Sequence, residues 1–128
     1  MILNSAAGGS SDGRGKSVVA PSSDGQLLAL QRAYEQAGVA ADTIQLVECH
    51  GTGTALGDAV ELETLHRFYG PAWQKSQNRI GLGSVKSLIG HTLSNASSAS
   101  LLKVLLGLQH RTLPPTAPVK TPNSALKL

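Results

Sequence analysis

Val47-Glu48-Cys49-His50-Gly51-Thr52-Gly53-Thr54-Ala55-Leu56-Gly57-Asp58-Ala59-Val60-Glu61 is the stretch that decides the fold. It opens on the end of a short run, Ile44 to Glu48, partly β-branched and preceded by a turn, which predicts a buried strand. The three glycines in the seven residues from Gly51 to Gly57 predict a tight loop rather than a helix or strand. Asp58, with Glu61 three residues on, has the spacing of a capped helix start. Ala59, Leu62, Leu65 and Phe68 form the apolar side of that helix. Glu63 and Arg67, four apart, pair on its exposed side, and Gly70-Pro71 predicts its stop.

Working outward, Asn4 to Pro21 is a polar loop rich in Gly and Ser. Ser23 and Gln26 have capping-box spacing, and Leu27, Leu30, Tyr34 and Ala37 repeat at helical spacing. Gly38 is a natural residue to end that helix in a left-handed turn, with Val39 making the hydrophobic contact that often follows. On the other side, a polar link from Trp73 to Arg79 leads to Ile80, Leu82 and Val85, whose alternation predicts a strand toward Lys86. Gly90-His91 marks a turn, and a third helix runs from near Ser94 to about Gln109. Leucines and Val104 cover most of that helix between Leu101 and Leu108, so it must be buried. Its first turns, Ala96 to Ser100, are small enough for a neighbouring backbone to approach. Pro114-Pro115 closes the organised part, leaving residues 111–128 as a poorly structured tail of a single domain over 1–128. Strand, helix, strand and helix in alternation predict an α/β architecture with crossover connections. So few elements wrap a buried helix poorly, which points to a partner or a further segment.

The 128 residues suffice for one compact domain. Only 15% are charged, the net charge is +3, and the basic residues are scattered. No Lys/Arg run with interleaved aromatics supports nucleic-acid binding. The start lacks a basic region followed by an apolar run, so no signal peptide is expected. The apolar segment from Ala99 to Leu108 is too short to cross a bilayer. A cytoplasmic setting is therefore the default. A single cysteine, Cys49, makes neither an intrachain disulfide nor a multi-cysteine metal site.

His50, at the carboxyl end of a strand in an α/β sheet, is well placed for a site, or is a loop histidine bonded to backbone. His91, just before a helix, either caps a turn or offers a neutral imidazole to a developing oxyanion. Lys86 either fixes a neighbouring group by charge or ends a strand in solvent. No pair has metal-site spacing. Cys49 adjoins His50, but adjacent residues at a strand end point oppositely, so it reads as a buried, inert thiol. The glycine loop lacks the Lys-Ser/Thr ending of a phosphate loop.

These residues resemble one family. Val47 to Thr54 is similar to the histidine motif of β-ketoacyl synthases, and Gly57-Asp58-Ala59-Val60-Glu61 continues it in the polyketide-synthase form. Gly83-Ser84-Val85-Lys86-Ser87-Leu88-Ile89-Gly90-His91 resembles the family's lysine–histidine motif, and Leu101 to Thr116 its following helix and exit. Ser10 to Arg14, Ala20-Pro21 and Gly25-Gln26 also fit. The resemblance implies a thiolase-like fold, present here as an incomplete C-terminal half, and usually a homodimer. It implies decarboxylative Claisen condensation between an acyl-enzyme and a malonyl-type extender on acyl carrier protein. His50 and His91 would hold the extender's thioester carbonyl, and Lys86 would organise the pair. Thr52 and Thr54 would lie along the carrier's phosphopantetheine arm, and no other cofactor is implied. The nucleophilic cysteine motif, Asp-Thr-Ala-Cys-Ser in form, is absent, so the chain is expected to need an N-terminal ketosynthase segment and to be inactive alone. A carrier-binding or assembly module, or a non-functional fragment, is the alternative. Leu88, Ser97 and Ser100 depart from the usual Asn, Gly and Gly.

Overall fold

The computed structural model describes residues 6–9, 20–75, 80–121 and 124. The Ser10 to Arg14 motif, most of the N-terminal loop, the last part of the Trp73–Arg79 link and most of the tail after Thr121 lie outside the described residues.

Helix α1 spans Ser23–Ala37. Ser22, not Ser23, caps it: Ser22 has the extended backbone a cap requires, and its hydroxyl accepts from the Gly25 amide at 3.3 Å. The Ser23 hydroxyl instead donates to Glu63 at 3.1 Å. Gly38 ends α1 as expected, with φ +63° and its N–H on the Tyr34 and Glu35 carbonyls.

Strand β1, Leu46–Glu48, is half-buried and pairs in parallel with β2, Gly81–Gly83, with Val47 opposite Leu82. Parallel strands need a crossover, and helix α2, Ala55–Lys75, supplies it. This is the expected α/β unit, but α2 is longer at both ends than the sequence predicts. It starts at Ala55, so Asp58 lies inside the helix, with its N–H on the Thr54 carbonyl at 2.9 Å. The Asp58 carboxylate accepts from Gly53 N–H at 3.1 Å, and Glu61 is too far along to cap. At the other end α2 runs through Gly70-Pro71. Proline removes one helical N–H, and the Trp73 ring stacked on Tyr69 at 5.9 Å ties the turn beyond it to the helix body.

α2 packs on α1. Tyr34 and Tyr69 share a 2.7 Å hydroxyl contact, and Phe68 meets the Tyr34 ring edge-on at 4.7 Å. Thr64, 2% exposed, has its hydroxyl 2.9 Å from Gln26 and 2.8 Å from the Val60 carbonyl. Arg67 bridges Asp24 at 2.7 Å and, more loosely, Glu63 at 3.7 Å.

β2 stops at Gly83, short of Lys86. Glu48 is the physical reason: its Oε1 takes the Val85 N–H at 2.6 Å and turns the chain. Lys86 thus opens a one-turn helix α3, Lys86–Ile89, instead of ending a strand. Helix α4 spans Ala96–His110, preceded by a 3-10 turn over Leu93–Asn95. Its expected burial is not met within the described residues. Leu101, Leu102 and Leu108 are more than half exposed, while Ala96 and Lys103 are its buried residues. The lysine is buried because Glu48 Oε2 takes its ammonium at 2.9 Å, with both side chains at most 8% exposed. The polar strand end thus anchors α4 to the sheet, while Leu102 and Leu106 line an open groove beside Val85 and Ile89. Beyond Arg111 the described tail has no helix or strand, but Ala117 N–H bonds the Ser87 hydroxyl at 3.3 Å.

Candidate functional site

His50 follows β1 and starts the glycine loop. Its backbone is held on three sides. Glu61 Oε1 accepts from His50 N–H at 2.6 Å, and Oε2 accepts from Gly51 N–H at 2.8 Å. The Ser84 hydroxyl lies 3.3 Å from the His50 carbonyl. Gly51 has φ +47°, and a Cβ there would come within 2.7 Å of Ser84 Cβ. Only glycine meets both demands. The loop therefore presses against Ser84 and leaves the His50 ring exposed.

The second motif delivers His91 to the same place. The rings of His50 and His91 lie 6.0 Å apart, centroid to centroid, at right angles. His91 Nδ1 accepts from Leu93 N–H at 3.0 Å. This is the turn-capping role the sequence allows, and among the described residues the other ring nitrogen has no hydrogen-bond partner. With Nδ1 accepting, a neutral imidazole carries its proton on Nε2 and is a donor there. Leu93 adopts φ +49°, a strained conformation for a leucine.

Lys86 is half-buried. Its backbone N–H is 3.3 Å from Ser84 Oγ, the same atom that reaches His50. Ser84 thus ties the two motifs together, a role that sequence reading does not assign. Among the described residues the Lys86 ammonium has no hydrogen-bond or ion-pair partner. Thr52 and Thr54 have hydroxyls 3.3 Å apart and, with His50, Leu56 and Glu61, line an open cleft of about 840 Å³. Lys86 and His91 are not on that wall; His91 joins the site through the His50 ring and Lys86 through Ser84.

Cys49 is half-buried, with its Sγ 3.8 Å from the Val47 carbonyl. Burial above all, then the charges of Glu61 and Glu48, push its thiol up to about 12. It stays protonated at neutral pH and is a poor nucleophile. Among the described residues no three His, Cys, Asp or Glu side chains cluster to hold a metal ion. No helix among them is long and apolar enough to cross a membrane.

A parallel strand pair bridged by a helix, with one imidazole after the first strand and a second brought against it by the turn after α3, leads to the class: the chain has the thiolase-like fold of solved ketosynthases. The ketosynthase from module 6 of the bacillaene synthase of Bacillus subtilis 168 superposes with a TM-score of 0.82 at 38% identity, over 98% of this chain and 22% of that one. The chain belongs to the β-ketoacyl synthase family: the profile described as beta-ketoacyl synthase, C-terminal domain, matches residues 2–120. One polyunsaturated fatty acid synthase component from a Thraustochytrium species is 42% identical over 88% of the chain and 4% of its own length. The reducing polyketide synthase rdc5 of Metacordyceps chlamydosporia is 41% identical over 94% of the chain and 5% of its own length. The chain thus spans about a twentieth of these curated relatives and under a quarter of the solved domain.

Proposed function

We propose that this chain supplies the enolate-stabilising side of a β-ketoacyl synthase that performs decarboxylative Claisen condensation on carrier-bound thioesters. The observation that carries the proposal is the 6.0 Å separation of the His50 and His91 rings, with His91 Nδ1 already occupied. The 6.0 Å runs between ring centroids, and side-chain rotation can bring a nitrogen of each ring within hydrogen-bond reach of one oxygen between them. The pair therefore fits one thioester carbonyl.

In the proposed step the C–CO2 bond of a malonyl-type thioester breaks and CO2 leaves. The electron pair moves onto the thioester oxygen, where two imidazole N–H groups hold it. The enolate carbon then attacks the acyl group held as a thioester on an enzyme cysteine. The new C–C bond forms, the C=O of the extender thioester is restored, the C–S bond to the enzyme breaks, and the cysteine leaves as a thiolate. Lys86 holds the histidine pair in register by its charge. Thr52 and Thr54, on the wall of the cleft, bond the phosphopantetheine arm of acyl carrier protein.

The sequence holds no Asp-Thr-Ala-Cys-Ser-like motif, and the Cys49 thiol stays protonated at neutral pH. The acyl-enzyme therefore forms on an N-terminal ketosynthase segment, in an assembly that is a homodimer when complete, and these 128 residues alone do not condense. The test joins the chain to a matched N-terminal ketosynthase segment and measures β-ketoacyl product on the carrier. Product is expected from the joined protein and none from either part. Removing either imidazole, by His50→Ala or His91→Ala, lowers the rate about 100- to 1000-fold, the loss typical of one oxyanion donor. A folded assembly that yields no product, or one indifferent to both substitutions, contradicts the proposal; retained carrier binding without product then identifies an assembly module.

A further inference from the structure

The Glu61 carboxylate is not used as the sequence predicts. It sits on the seventh residue of α2, beyond the four free amides at a helix start, so capping cannot explain it. Both its oxygens face outward from α2 to consecutive amides of the preceding loop, at 2.6 Å and 2.8 Å. Two successive N–H groups converging on one anion, with positive φ at Gly51, form the concave anion-binding turn that backbone amides make elsewhere for phosphates. Here an internal carboxylate fills it. These are charge-assisted bonds, short and directional, and they fix the peptide that bears the His50 side chain.

We infer that Glu61 is a positioning residue for His50. It holds the backbone from below while Ser84 presses on the His50 and Gly51 carbonyls from the side, at 3.3 and 3.5 Å. Together they set how far the His50 ring stands from His91. Among the described residues nothing else on α2 bonds His50, whose ring is exposed and packs edge-on against His91. Without the clasp the loop hinges at Gly51 and Gly53, both at positive φ, and the ring moves away from its partner. The role rests on the reading of His50 and His91 as a joint site, yet it has a signature independent of turnover.

The first test is the nuclear Overhauser effect between the two imidazoles in the 128-residue chain. Glu61→Gln offers one acceptor oxygen and sets an NH2 group against the second amide. The ring-to-ring signal is expected to fall severalfold, while the Tyr34–Tyr69 contacts persist and report an intact α1–α2 packing. Glu61→Asp, which keeps the charge on a shorter arm, recovers part of it. A ring-to-ring signal unchanged in Glu61→Gln overturns the inference, whether or not the protein proves to be a condensing enzyme.

The second test is catalytic, in the joined ketosynthase. Glu61→Gln is expected to lower kcat about 10- to 100-fold at constant KM for the carrier substrate, since a misplacement of about 1 Å suffices for such losses. In a His50→Ala background the same substitution has no further effect, because its action runs through that ring. Additive losses in the double variant overturn the inference. Absence of turnover in the unsubstituted protein counts against the condensing function and leaves the ring-to-ring signal to decide the positioning role.

Discussion

Lys103→Met is the substitution with the largest expected effect on stability. Lys103 Nζ lies 2.9 Å from Glu48 Oε2, and the two side chains are 8% and 7% exposed. At that separation the Coulomb attraction is about 6 kcal/mol for an effective dielectric of about 20. Desolvation of both ions offsets much of it, so the pair itself contributes little net stability. Removing one partner is different, because it strands the other. Glu48 would keep one neutral partner, the Val85 N–H at 2.6 Å, and lose its counter-ion. The expected loss is about 3–4 kcal/mol, the usual range for half of a buried ion pair. That is a large share of the roughly 5–15 kcal/mol that holds a domain folded. The assay is urea denaturation followed by circular dichroism at 222 nm, comparing midpoints at constant slope. The Glu48→Gln/Lys103→Met double variant should be more stable than the sum of the single losses predicts, by at least about 1.5 kcal/mol. A Lys103→Met loss under about 1 kcal/mol, the value for exposed pairs, would refute the claim that this pair is dry and anchors α4 to the sheet.

Three further outcomes are expected. Cys49 should react with a thiol reagent at pH 8 at least about 100-fold more slowly than free cysteine, because little thiolate is present there; fast labelling of the folded chain would contradict the burial. The thiol is raised from 9.0 to about 12, so the native state keeps a proton that the unfolded chain releases. Stability from this group is therefore full below pH 9 and is lost as pH rises toward 12, and Tyr69, raised by burial and by its bond to Tyr34, adds to the loss in strong alkali. A stability that is flat from pH 8 to pH 11, measured by urea titration, would go against this sign. Gly51→Ala should destabilise the chain by about 3 kcal/mol, from the left-handed backbone and the clash with Ser84, a sum a thermal melt reads directly.

Local signals carried far into the structure, and failed where a side chain answered a distant group. Gly38 at the end of α1, the parallel pair bridged by α2, and α4 starting near Ser94 were readable from residue spacing and turn chemistry. The two histidines were legible as site candidates from their places beside glycine turns, but their ring contact depends on the turn after α3, which residue spacing does not foretell. Pro71 was misleading because a proline usually ends a helix, whereas here stacked Tyr69 and Trp73 carry α2 past it. Asp58 and Glu61 matched a capping pattern, but the helix starts three residues earlier, at Ala55, and both carboxylates turn back to the glycine loop. The Glu48–Lys103 bond joins residues 55 apart. A lysine in a leucine-rich helix and a glutamate closing an apolar strand were the signal, since each asks for a partner when buried. The exposed leucines of α4 accord with the short span of this chain relative to the solved ketosynthase, of which it covers 22%.

The most direct test follows CO2 released from a malonyl-loaded carrier by the joined ketosynthase, without any acyl acceptor. If both imidazoles hold one oxygen, the His50→Ala/His91→Ala double variant loses at most about tenfold more than the weaker single variant, because residues acting as a unit are not additive. Two large losses that multiply would mean that the rings serve separate groups, and the account of a single shared carbonyl would be wrong.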